Sequence, residues 1–205
     1  MLHFARETDS ALCDPKDDSE FGENMKKPTR ADAFAMVLSE ELNRIMEFDK
    51  DPRWNCDAAL FGRHERADVR LKCWGKRKAE VLIEVELRRG NPAVNALKIW
   101  LWARDRKDRK IPVVLVHALS CYYRRGGSSR AKTWSEHMDF VAARIKEDRQ
   151  ANLTYLSIPF GYCPKRHACG IGGAGRRWAR RLASTIKKRL GKLRLRTRII
   201  LPLVR

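Results

Sequence analysis

The segment Val81-Leu82-Ile83-Glu84-Val85-Glu86-Leu87 constrains this chain more than any other. Its branched apolar residues read as a β-strand, and in a strand alternate side chains share a face. Glu84 and Glu86 therefore point one way, while Val81, Ile83, Val85 and Leu87 point the other. Two carboxylates on one face of an apolar strand are costly to bury unless paired, protonated or bound to metal. The turn Trp74-Gly75-Lys76-Arg77 precedes this strand, and before the turn lies Ala67–Cys73, with Asp68 at its head. A short hairpin brings Asp68 next to Glu84. Carboxylates converging on one point form a hard-oxygen site of the kind Mg²⁺ takes while keeping several waters. Such an ion activates water and neutralises charge at a phosphodiester.

The elements around this strand follow from periodicity. Phe34, Val37, Leu38, Leu42, Ile45 and Met46 recur at helical spacing, so a helix begins near Thr29 or Ala31 and ends before Pro52. Trp54 to Phe61 is a weak strand candidate. After the break at Arg88-Arg89-Gly90-Asn91-Pro92, Ala93 to about Arg106 reads as a helix, apolar nearly all round and hence expected to be buried. Pro112–Leu119 is a buried strand, Thr133 to about Lys146 an amphipathic helix, and Leu153–Pro159 a further strand. Arg177 to about Leu190 is a basic helix beyond a Gly-rich joint at Gly170–Gly175, after which Arg194, Arg196 and Arg198 alternate with a strand-like period. This order predicts an α/β fold with a mixed central sheet flanked by helices and a basic C-terminal extension. The expected division is a polar, disordered leader over 1–29, a core over 30–160, and the joint with its basic segment over 161–205. On the first helix, Glu41 falls inside the apolar stripe of Val37, Leu38 and Ile45, so a buried-face acid needs a polar partner.

The formal net charge is +19, which favours polyanionic partners: nucleic acid, or an anionic membrane face. From Arg176 to the end of the sequence there is no Asp or Glu. Arg176, Arg177, Arg180, Arg181, Lys187, Lys188, Arg194 and Arg196 are read as a phosphate-binding arm, together with Arg70, Arg88 and Arg89 near the acids. The bland alternative is a solvated helix face packed on the domain through Leu182, Ile186 and Leu190. No stretch approaches the roughly 18 uninterrupted apolar residues of a membrane helix. The first residues show no apolar core of a signal peptide, so a cytoplasmic or nucleoid-associated location is expected, not secretion. The six Cys are expected to be reduced thiols. Cys163, His167 and Cys169 offer three zinc ligands in seven residues but lack a standard spacing, and they are read as ordinary residues. His117, in an apolar strand, is read as a satisfied core histidine.

With Asp68 opening one strand, Glu84-Val85-Glu86 in the next and Glu41 on the preceding helix, the chain resembles the PD-(D/E)XK nucleases, whose core runs helix, three strands, helix, strand. The resemblance covers about residues 30 to 160. It implies a Mg²⁺ (or Mn²⁺)-dependent endonuclease of DNA. Asp68, Glu84 and the Val85 carbonyl would hold the metal, and Glu86 or Lys98 would handle the attacking water. Glu41 would hold a second ion or an outer water. Ala67 stands before Asp68 where Pro is common, and Glu86 stands where Lys is usual. Lys98, or Lys72, is then the candidate for a displaced lysine. The alternative is a non-catalytic nucleic-acid-binding protein, either an inactive member of this fold or a basic RNA-binding domain. A structural protein docking on an acidic partner is a third reading. The sequence leaves open DNA against RNA, and whether the chain forms a homodimer.

Overall fold

The structure is a computed structural model that describes residues 29–45, 55–60, 65–72, 79–87, 90–107, 110–123, 129–162 and 171–193. The first helix, α1 (Arg30–Ile45), opens on a reciprocal cap. The Thr29 amide donates to Asp32 Oδ2 at 2.5 Å, and the Asp32 amide donates to Thr29 Oγ1 at 3.3 Å. This satisfies two of the donors that a helix start leaves unpaired. Three strands follow: β1 (Asn55–Leu60), β2 (Glu65–Lys72) and β3 (Glu80–Glu86). Then come α2 (Ala93–Asp105), β4 (Val113–Leu119), a single 3-10 turn at Cys121–Tyr123, α3 (Ser129–Glu147), β5 (Leu153–Pro159) and α4 (Gly172–Lys192).

The strands form one sheet in the order β1-β2-β3-β4-β5. β1, β2 and β3 pair antiparallel, whereas β3, β4 and β5 pair parallel. The sheet is mixed and the class is α/β, as the sequence predicts. Parallel strands need long crossovers, and α2 and α3 supply them. Both crossovers run in the same direction along the sheet, and both helices pack on one face with Leu82, Val113 and Leu115. The opposite face carries Val69, Leu71, Val81, Ile83, Val85, Val114, Val116 and Ala118. There α1 contributes Phe34, Ala35, Val37, Leu38 and Leu42, and α4 contributes Ala179, Leu182, Ala183, Ile186 and Leu190. With helices on both sides, every residue of β3 is buried. No helix among the described residues is long and apolar enough to cross a membrane.

Three expectations need correction. The basic segment over Gly172–Lys192 is a core layer and not an arm, because its apolar stripe is buried against α1 and the sheet. The Gly-rich run is not simply a joint either, since the helix begins inside it at Gly172. Close packing fits α4 to the chain just after β5: a Cβ on Gly161 would lie 2.4 Å from the Trp178 ring, so glycine lets the α4 indole sit there. Helix α2 is not buried all round, for Val94 (60% exposed) and Leu101 (45%) face outward with Leu97. The small residues Ala93, Ala96 and Ala103, with Ile99, make its buried face. The leader, the Cys163–Cys169 segment and Arg194 onward lie outside the described residues.

Candidate metal centre

Strand parity places Glu84 and Glu86 on the α2 side of β3, since Val81, Ile83, Val85 and Leu87 pack under α1 and α4. The β2–β3 ladder runs from Lys72↔Glu80 to Val69↔Ile83. One step further Asp68 stands opposite Glu84, and there a side chain replaces the backbone pairing. The Asp68 carboxylate Oδ2 accepts the Val85 amide at 2.6 Å. Side-chain alternation along β2 also breaks here, for Val69 packs on the α1/α4 side while Ala67 packs on the α2/α3 side. In an extended strand a residue's N–H and C=O point to the same edge, so the Val85 carbonyl faces the Asp68 edge as well.

The electrostatics of this pair are strained. Burial pushes Asp68 up from 3.8 to about 7, and the charges of Glu86 and Asp32 push the same way. The Val85 amide and Lys98 oppose the rise. Glu84 is only 3% exposed. Burial holds its carboxyl well above the ordinary carboxylate range, and Asp68 and Glu86 add to the rise against Lys98. Its buried Oε1 accepts no hydrogen bond. Lys98 Nζ on α2 lies 3.7 Å away, too long for a hydrogen bond but close enough for an ion pair. Two neighbouring carboxylates out of water cannot both ionise cheaply unless further positive charge arrives.

Glu86 has different company. Its Oε1 accepts Asn95 Nδ2 of α2 at 2.7 Å and lies 3.3 Å from His117 Nε2 of β4. The expected convergence of Asp68, Glu84 and Glu86 is therefore only electrostatic. Among the described residues no three His, Cys, Asp or Glu side chains stand close enough together to form a ready ligand cage. Comparison with protein-family models, curated proteins and solved structures finds no match to this chain. The site is read from its own chemistry.

Other expected members are placed elsewhere. Glu41 does not join the acids. Arg44 Nη2 holds it at 2.8 Å and Arg180 Nε at 3.2 Å. Burial raises its carboxyl, but these two guanidiniums outweigh that and leave it below the ordinary range. The α1 acid that Asp68 feels is Asp32, at the helix cap. Arg70 is not a free phosphate contact, for its Nε donates to Glu80, which also takes Arg106 Nη1 at 3.5 Å. Lys72 stands opposite Glu80, at the far end of β3 from Glu84. On α4, Arg180 is tied to Glu41, Arg181 lies 5.1 Å over the Trp178 ring, and Lys187 donates to the Ile45 carbonyl. Arg176, Arg177 and Lys188 are exposed on the same helix. Arg88, Arg89, Arg194 and Arg196 lie outside the described residues.

The sequence reading missed Asn95 and Tyr155, whereas His117 is the satisfied core histidine it expected, fully buried with both ring nitrogens partnered. One polar residue inside the apolar run Val113–Leu119 is the signal that marks His117. Nothing in the sequence marks Asn95, whose partner lies nine residues away on another element.

The donor set suits a hydrated hard cation. Asp68 and Glu84 offer carboxylate oxygens, one of them a buried orphan, and the Val85 carbonyl borders them. A Mg²⁺ site needs only one or two carboxylates, the remaining positions being water. Its charge would reverse the penalty that raises both acids.

Proposed function

We propose that this chain is a Mg²⁺- or Mn²⁺-dependent phosphodiester hydrolase acting on DNA, with the core of a PD-(D/E)XK nuclease. The observation that carries this reading is the buried Glu84 Oε1. It has no hydrogen bond, sits beside a second raised acid at Asp68, and faces an amine at 3.7 Å. Folding a hydrophobic strand around such an oxygen costs free energy that a bound cation returns. The element order αβββαβ and the mixed sheet agree with the reading.

When bound, the ion supplies charge neutralisation at the phosphodiester and an acidified water. Asp68 and Glu84 would hold it, with the Val85 carbonyl as a third protein oxygen. Lys98 lowers the cost of ionising Glu84 and would stabilise negative charge growing on the phosphate oxygens. Glu86 orients the attacking water and accepts its proton. Arg176, Arg177 and Lys188 attract the DNA backbone, because α4 carries eight Arg and Lys and no Asp or Glu.

Nicking of supercoiled plasmid in Mg²⁺ or Mn²⁺, against EDTA, tests this. Cleavage is expected only with the divalent ion, and Asp68→Asn and Glu84→Gln are each expected to abolish it. Salt-sensitive DNA binding with no cleavage in any divalent ion would refute hydrolysis. It would favour a non-catalytic nucleic-acid-binding protein, for which the exposed arginines of α4 are the supporting observation.

A further inference from the structure

Behind Glu86 lies a buried polar chain that the reaction scheme above does not use. His117 is fully buried in β4, with both ring nitrogens engaged. Nδ1 lies 3.1 Å from Tyr155 Oη of β5, and Nε2 lies 3.3 Å from Glu86 Oε1. The imidazole and phenol rings meet edge to face, 6.0 Å between centroids. Asn95 Nδ2 reaches the same Glu86 Oε1 at 2.7 Å. Donor and acceptor chemistry favours one arrangement of this chain. Asn95 Nδ2 can only donate, so Glu86 Oε1 accepts there, and His117 Nε2 is placed as its second donor and carries the proton. Nδ1 then accepts, and the tyrosine hydroxyl donates to it. Burial raises the Tyr155 hydroxyl further above its ordinary range, so it keeps its proton.

The consequence falls on Glu86. Two donors from two elements hold Oε1. The carboxylate is held in orientation. We propose that His117, held in one tautomer between Glu86 and Tyr155, is a positioning residue that, with Asn95, fixes the Glu86 carboxylate for the water. This rests on the hydrolytic reading for its purpose, but the lock itself exists without metal. Partners that set a histidine's tautomer and a carboxylate's orientation typically change affinity or activity by about 10- to 100-fold when removed.

The test uses the full chain in two states. In the metal-free protein, long-range proton–nitrogen spectra of the imidazole rings are recorded, with His117 identified among the five histidines by its loss in His117→Gln. The Nε2-protonated tautomer is expected, and Tyr155→Phe is expected to shift the Nδ1 resonance, because that nitrogen loses its donor. With Mn²⁺ as the probe, Glu86→Gln is expected to bind the ion within about 3-fold of wild type, whereas Asp68→Asn loses it. Tyr155→Phe is expected to lower turnover about 10-fold at unchanged KM and unchanged Mn²⁺ affinity. That variant removes only a hydroxyl, so it keeps the question open to measurement if His117→Gln fails to fold. A Glu86→Gln protein that no longer binds Mn²⁺ would make Glu86 a ligand and overturn the proposal. An Nδ1-protonated His117 in the wild type, or an unmoved Nδ1 resonance in Tyr155→Phe, would overturn the lock. A wild-type chain that binds Mn²⁺ but never nicks DNA would refute the hydrolytic reading and with it the aiming role of Glu86, while the tautomer and Mn²⁺ measurements separately decide the lock.

Discussion

Lys98 Nζ stands 3.7 Å from Glu84 Oε1, a buried oxygen that accepts no hydrogen bond. The two residues lie on different elements, α2 and β3, and meet because the crossover after β3 lays α2 back on the face that carries the acids. An amine at that distance lowers the cost of ionising Glu84 without satisfying the oxygen.

Lys98→Ala should therefore act on turnover more than on DNA binding. The expected loss is about 10²-fold in nicking rate at saturating Mn²⁺, the usual scale for one electrostatic group at a reacting centre. Filter binding at low salt should change little, since one charge among the many on this surface is removed. Equal losses in rate and binding would assign Lys98 to the DNA backbone instead.

The raised acids predict an unusual pH dependence. Asp68 moves from 3.8 to about 7 on folding, so the folded protein holds that proton to higher pH than the unfolded chain does. A raised acid costs nothing below 3.8, where both states are protonated. Across the window from 3.8 to about 7 the metal-free fold should lose stability as pH rises, and above it the loss is complete. Asp68→Asn should flatten that part of a melting-temperature profile taken in EDTA. Excess Mn²⁺ should restore stability most at the alkaline end, because an ion held by Asp68 and Glu84 as proposed would bind the deprotonated pair of the folded state alone.

Glu41 separates from the acids in the same assays. Glu41→Gln should leave Mn²⁺ affinity unchanged, as its partners are Arg44 and Arg180. The thermal cost should be small, about 1 kcal/mol or less, because both guanidiniums are largely exposed to solvent. A large drop in metal affinity would return Glu41 to the site.

Helix α4 should behave as core along one face and as a charged surface along the other. Leu182→Ala or Ile186→Ala should each destabilise by roughly 2–5 kcal/mol, read from urea midpoints, since both side chains are buried between α1 and the sheet. Removing residues 172–205 should unfold the protein. Arg176→Gln with Arg177→Gln should leave the fold intact and lower the slope of log affinity against log salt by up to about 0.9 per lost phosphate contact. An unchanged slope would take these two arginines out of the DNA-binding surface.

Much of this was legible in the chain itself. The 3.6-residue period of Phe34, Val37, Leu38 and Leu42 and the two-residue alternation of Val81 to Leu87 defined the start of α1 and both ends of β3 to within a residue or so. The same alternation set Glu84 and Glu86 on one face, and the antiparallel pairing of β2 with β3 carries Asp68 beside Glu84. Such features depend on neighbours along the backbone, whose spacing is the same in any fold. The tertiary structure decided the partners. Glu41 is a buried-face acid in either reading, but only the packing of α4 against α1 delivers Arg180 to it. Arg70 faces the acid side of the sheet, yet Glu80 and not a phosphate occupies its guanidinium. Glu86 shares its face with Glu84, and only the arrival of Asn95 and His117 from α2 and β4 draws it to separate company. The charge run of α4 looked like a free arm because charge shows plainly in sequence, whereas an apolar stripe gains meaning only when a second surface covers it. Periodicity says which way a side chain points. What it meets there depends on elements far away in the chain, brought close by burial of surfaces that no local pattern describes.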